Sequence, residues 1–246
     1  SALDATQLAA LNVTKVRAFT ATQISALSAT DVAEFANTQL AAMTTTQVQA
    51  LTATNIAELA DTQIAALTAT QMQAFTATNL AALADTQIAA LTNTQIAALT
   101  TTLVRGLNAT NIGALTETQV GQFSVTQLQA FSTTNLSALD ATQTNALTTT
   151  QIAGLATTQI TAFSAADFGE LSLTQVAALT STQVRALTAT NVGDLADTQV
   201  AALTATQIAS LSSTNLISLD ATQVGALTTT QIAALTGSQV RALTAT

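Results

Sequence analysis

Two apolar columns and two polar ones return every eight residues along the chain. In Ile64-Ala65-Ala66-Leu67-Thr68-Ala69-Thr70-Gln71, a branched or long apolar residue is followed three places later by Leu. Met72 then takes the apolar place that opened the octad, and the pattern starts again. The column of Ile64 is broken only by Thr144, and the column of Leu67 holds Leu, Phe or Met from Leu3 to Leu243. The Thr70 column is Thr at 29 of 31 positions, with Ala166 and Ser238 as the exceptions. The Gln71 column is Gln or Asn except at Lys15, Asp31, Leu103 and Asp167. A short period held without insertion from Ser1 to Thr246 predicts a solenoid of about 31 octads, read as one continuous array over residues 1–246.

The period excludes one long helix, because eight residues roll an apolar pair by about 80° per repeat and no stripe forms. A β-solenoid is the alternative, since Thr and Ile suit strands. Yet Ala66 and Leu67 sit side by side and reverse the strand parity in every unit. The slot of Thr68 is Thr, Ser, Asp or Asn, three places before Gln71, which is the spacing of a capping box. Where that slot is Ala, at 36, 60, 84, 156 and 196, the next residue is Asn37, Asp61, Asp85, Thr157 or Asp197, as though the cap moves on one place. The pattern therefore predicts an all-α solenoid of very short helices, one per octad and about two turns long. Leu67, Gln71 and Ala74 are expected to face inward and Ala65 and Ala69 outward. Ile64 and Thr70 are expected at the flanks where coils stack, with the Thr hydroxyl bonding a neighbouring carbonyl. The residues expected to cap and stack are Thr62, Gln63, Thr70, Gln71, Asn55, Asn79 and Asn191.

A slower rhythm runs above the octad. Asn or Asp replaces Gln at 31, 55, 79, 111, 135, 167, 191 and 215, at gaps of three or four octads. That predicts about 3.3 octads per superhelical turn and a rod about 80 Å long. Twelve of the 13 acidic residues fall in those octads or at the start of the next, which predicts one acidic stripe. The remaining one, Asp4, occupies an N-cap slot. Both chain ends fall within the pattern, so the sequence reads as a slice of a longer array, flanked on each side by an Asn or Asp octad.

Composition narrows the chemistry. The chain has no Cys, His, Pro, Trp or Tyr, which removes the commonest general base and the Cys and His metal ligands. A net charge of −8 with five basic residues argues against nucleic acid. Thr and Gln interrupt every apolar run, so no transmembrane segment is predicted. No nucleophile–base pair or phosphate loop is present, so no catalysis and no cofactor are expected. Asp31 with Glu34, and Asp167 with Glu170, place carboxylates three residues apart, where a weak divalent cation is weighed against a solvated acidic face. Thr144, polar in an apolar column, is expected to be destabilising there.

The Leu-Thr-x-x-Gln octad, present over the whole chain, resembles octapeptide tracts of very large bacterial surface or secreted repeat proteins. The resemblance implies a bacterial extracellular or cell-surface location and no transferable activity. The surface expected from the pattern is mostly Ala, Thr and Ser, with little charge to keep copies apart. The function expected is a self-assembling structural protein of a fibre, sheath, surface layer or adhesin stalk. The alternative is a binding module that meets a regular surface such as ice through Thr-rich faces.

Overall fold

The computed structural model describes residues 5–243; Asp4 and Thr246, on which two of the expectations above fall, lie outside the described residues. Thirty helices follow one another, numbered in chain order from α1 (Ala5–Ala9) to α30 (Gly237–Leu243), and no strand occurs among the described residues. The β-solenoid alternative is thereby excluded. The fold is an all-α solenoid of very short helices.

Each octad makes one helix of only four to six residues through most of the chain, so the helices are shorter than the two turns expected. α8 (Asp61–Ala66) ends before Leu67, and α9 (Ala69–Gln73) begins after Thr68. Leu67 (φ −64°, ψ 139°) and Thr68 (φ −72°, ψ 157°) are both extended, and this pair turns the chain. The bend therefore lies in the ordinary range of L-residues. No described residue has positive φ and no described peptide is cis, which explains how an array without Pro bends at every octad.

Capping holds each start. The Thr68 hydroxyl accepts from the Gln71 N–H at 3.2 Å, and the Gln71 Oε1 accepts from the Thr68 N–H at 2.8 Å. The five Ala slots keep the N-cap at Ala rather than moving it to the next residue as expected, although after Ala196 the Asp197 Oδ1 does accept from the Thr198 N–H at 2.8 Å. Ala60 is still the N-cap of α8, and its N–H still donates to Gln63 Oε1 at 2.7 Å. The N3 N–H, lacking a side-chain acceptor, donates instead to the Ala60 carbonyl at 2.9 Å; Gln39, Gln159 and Gln199 do likewise at Ala36, Ala156 and Ala196. A tightened first turn substitutes for the missing hydroxyl.

A helix this short has no stability of its own. Stability comes from stacking, in two compact units, Ser1–Ala130 and Phe131–Thr246. In the first unit α5 (Asn37–Ala42) packs on α8, and α9 on α12 (Asn93–Ala98). In the second, α19 (Thr149–Gly154) packs on α22 (Leu173–Ala178), and α22 on α25 (Asp197–Ala202). The main packing partner within each unit is the third helix along. Ile64, Ile88 and Ile96 in one unit, and Ile152, Val176 and Val200 in the other, are fully buried, so this column is core and not flank. The Leu67 column lines the same core.

Candidate functional site

The feature that organises each unit is a ladder of buried side-chain amides. Gln71 stands at N3 of α9, where its Oε1 completes the capping box of its own helix. Its Nε2 donates to the carbonyls of Leu40 and Met43, both at 2.8 Å, 31 and 28 residues earlier. Gln95 does the same to Ile64 (2.8 Å) and Leu67 (2.7 Å), and Gln183 in the second unit to Ile152 and Leu155 (both 2.8 Å). Gln63 reaches Ala33 at 2.8 Å and Phe35 at 2.7 Å. These carbonyls lie at the C-terminal end of a helix, where the ladder of i to i+4 bonds runs out; those of Leu40, Ile64 and Ile152 also accept from the N–H three residues on. One buried amide thus serves two helix ends at once, with its acceptor and both donors used. Packing on the third helix along and bonding just under four octads back bracket a turn of between three and four octads.

The bond to the neighbouring coil, expected of the Thr column, is made by the Gln column. Thr62 and Thr70 sit at N2 and are exposed, as are the N2 threonines generally. The extended Leu–Thr pair resets the helical phase at every octad, so a wheel drawn through successive octads misplaces this slot. A signal for the Gln role was present in the sequence. A capping box accepts Glu as readily as Gln, yet this column contains no Glu, and of the two side chains only the amide can also donate to a carbonyl.

The Asn positions form shorter rungs. Asn55 Nδ2 reaches Leu27 at 3.3 Å, Asn79 reaches Leu51 at 3.0 Å, and Asn191 reaches Phe163 at 3.4 Å, each 28 residues back and each a single bond. The side chain is one methylene short of the second carbonyl. Within the first unit α4 (Ala29–Ala33) packs on α7 (Ala53–Ala57) and α7 on α10 (Ala77–Ala81), so Asp31, Asn55 and Asn79 do stand in one column.

The carboxylate pairs do not converge. Asp31 is buried and turned into its own cap, accepting from the Ser28 N–H at 2.8 Å and the Ser28 hydroxyl at 2.7 Å, whereas Glu34 is exposed. Asp167 is likewise buried, accepting from the Ser164 N–H at 2.6 Å, with Glu170 half-buried. Among the described residues no group of three or more acidic, His or Cys side chains could hold a metal ion. No described helix is long and apolar enough to cross a membrane. At the N-cap of α18 (Ala141–Asn145), the Gln143 N–H (2.8 Å) and the Thr142 hydroxyl (2.7 Å) hold the Asp140 carboxyl below its ordinary pKa.

Two departures from the repeat are both buried. Leu103, in α13 (Thr101–Gly106), replaces an amide. Thr144, in α18, carries the buried side-chain polar atom that has no hydrogen-bond partner among the described residues.

The first and last coils differ from those between. In α3 (Ala21–Ser25), Gln23 is exposed; its Oε1 accepts from the Thr20 N–H at 2.8 Å, and its Nε2 donates to no described residue. Lys15, in the same column on α2 (Val13–Arg17), is exposed too. In the last coil the core column comes to the surface, with Ile232 and Val240 each 42% exposed and Val224 half-buried. No known protein family matches the chain, and no curated protein is detectably similar to it.

Proposed function

We propose that this chain is a non-catalytic structural repeat protein that assembles with copies of itself, in a fibre, sheath, surface layer or adhesin stalk outside a bacterial cell. The observation that carries the reading is the amide ladder. Each coil binds the one before it through backbone carbonyls, which every copy of the repeat presents whatever its side chains. Such a surface accepts more of the same material. Only 7% of residues are charged, so little repulsion opposes close approach of copies. Location rests on the resemblance of the Leu-Thr-x-x-Gln octad to bacterial surface and secreted repeat tracts. Electron microscopy of the purified chain tests the reading: ordered filaments or sheets are expected, and dispersed single particles at every concentration would sink it.

The exposure of the N2 threonines favours a second reading, a binder of a regular surface such as ice. Their hydroxyl and methyl groups are presented to solvent at nearly every octad. Thermal hysteresis in a freezing assay, absent under the structural reading, decides between the two.

A further inference from the structure

In the second unit one row of helices carries a knob and a hollow on its outward side. α18, α21 (Ala165–Glu170), α24 (Ala189–Gly193), α27 (Ser213–Leu216) and α30 stack in that order, each on the third helix along. Residues 169, 193 and 217 hold the same exposed slot of the octad. It faces away from the stack, so a coil stacked above or below leaves it uncovered. Ile217 fills this slot at the end of α27 and is 46% exposed. Gly169 and Gly193 fill it on α21 and α24. A helical glycine weakens its helix relative to alanine, and neither glycine has a positive φ that would require it. A Cβ at Gly169 would meet nothing within 4 Å, and one at Gly193 only the Ser218 carbonyl oxygen at 3.5 Å, so packing within the chain does not require glycine either. α21 also lacks the N2 hydroxyl: Ala166, exposed, stands where every other described octad has Thr or Ser. The hollow at Ala166 and Gly169 is therefore the smallest outward surface in the row, two stacking steps from the Ile217 knob.

We infer that this row binds the same row of a second copy of the chain, turned end for end, with Ile217 of each copy seated on Ala166 and Gly169 of the other. The inference rests on the self-assembly reading and names a lateral contact for it. Hollow and knob lie one step on either side of α24. A two-fold axis at Gly193, perpendicular to the row, therefore brings both knobs onto both hollows at once. Glycine at the axis lets the two α24 backbones approach closely. Charge favours the same direction. Glu170 and Asp194 lie on α21 and α24 and Arg241 on α30, so the reversed row sets Arg241 toward the acidic end of the other copy. Rows running the same way would set acid on acid. The two Asp194 carboxylates are exposed beside the axis, where water and salt screen their repulsion.

The chain has no Cys, so single introduced thiols report the contact without background. Gly193→Cys, at the axis, is expected to form a disulfide-linked dimer under mild oxidation about tenfold faster than Gly113→Cys, at an open glycine of the first unit. Ile217→Cys alone is expected not to cross-link, because its two copies lie two stacking steps, roughly 18 Å, apart along the paired rows. Mixing it with Gly169→Cys is expected to restore the cross-link. Sedimentation velocity over a concentration series gives the second readout. The wild-type chain is expected to associate with rising concentration, and Ile217→Asp, which buries a charge in the hollow, about a hundredfold more weakly. Leu173→Asp, at a residue 48% exposed on α22, adds the same charge elsewhere and is expected to associate like wild type. Circular dichroism establishes that each variant is folded, and Ile217→Ser replaces Ile217→Asp if that variant is not. A wild-type chain that stays monomeric overturns both this contact and the self-assembly reading. A chain that associates but shows no faster cross-link at Gly193→Cys, none from the mixture, no weakening in Ile217→Asp, or loss in Leu173→Asp overturns this contact alone.

Discussion

α13 in the first unit and α18 in the second each break one rule of the repeat, in opposite senses. Leu103 puts an apolar side chain where an amide belongs, and Thr144 puts a hydroxyl where an apolar side chain belongs. Both are buried and both helices form. Around Leu103 the loss falls on acceptors: the carbonyls of Met72 and Phe75, 31 and 28 residues earlier, receive no amide. The Met72 carbonyl keeps a bond from the Phe75 N–H at 3.1 Å, and the Thr100 N–H, robbed of Gln Oε1, belongs to an exposed residue that water reaches. A carbonyl that keeps one bond, as Met72 does, is cheap to leave so, and the cost falls on the Phe75 carbonyl. Around Thr144 the loss falls on a hydroxyl sealed from water. α13 also has a local compensation. Gly106 lets it close on α10, where a Cβ at 106 would come within 2.5 Å of the Ala77 Cβ. The comparison teaches that a rung can be dropped where packing closes the gap.

Copying the exception without its compensation has the largest expected effect. Gln95→Leu in α12 strips Ile64 and Leu67 of their donor and Thr92 of its acceptor, with no glycine to bring the helices closer. A loss of about 3 kcal/mol is expected by urea denaturation. A loss below about 1 kcal/mol would mean that the ladder adds little to stability. Next, Gly106→Ala should cost about 2 kcal/mol, because the new Cβ meets Ala77 backbone as well as side chain. Gly113→Ala, with nothing within 4 Å, should gain about 0.5 kcal/mol. Equal effects at the two glycines would remove the close approach from the account of α13.

The opposite exception should be removable at a gain. Thr144→Val exchanges the unpartnered hydroxyl for a methyl and should stabilise by about 1 kcal/mol, and Thr144→Ile should do so as well. A lowered melting temperature in both would show a role for the hydroxyl that burial does not explain. The smallest effect also lies in α18. Because the folded-state pKa of Asp140 is depressed, its ionised cap stabilises above the unfolded-state pKa, and this is lost as pH falls through the folded value. Asp140→Asn, an uncharged cap, should match wild type in strong acid and fall below it near neutrality. A gap between the two that does not vary from neutral to acid pH would contradict this.

Period, helical class and the inward Leu67 and Gln71 columns were legible because each slot repeats some thirty times and its exceptions are informative. Gln71 and Leu67 could be placed inside from spacing alone. Ile64 and Thr70 could not, since their facing depends on the phase reset at Leu67–Thr68, a backbone event that leaves no residue-type signature. The relocated cap at Asp61 was a reasonable reading of a side-chain pattern. The backbone instead solved the problem one turn tighter, with the Ala60 carbonyl. The buried amide's second task was visible only in what the column lacks.

The joint made of two extended L-residues has a consequence for how such an array changes in length. It requires no special residue, so a whole octad can be gained or lost by slippage in the gene, and every joint, cap and rung is rebuilt by its new neighbours. The ladder is blind to such an event, because it counts in eights. The Asn and Asp column is not, because it counts in turns, and one octad too many would throw everything beyond it out of line. Its steps from Asp31 to Asn215 are all 24 or 32 residues, a vernier against which an indel that leaves a step of 16 or 40 would be read.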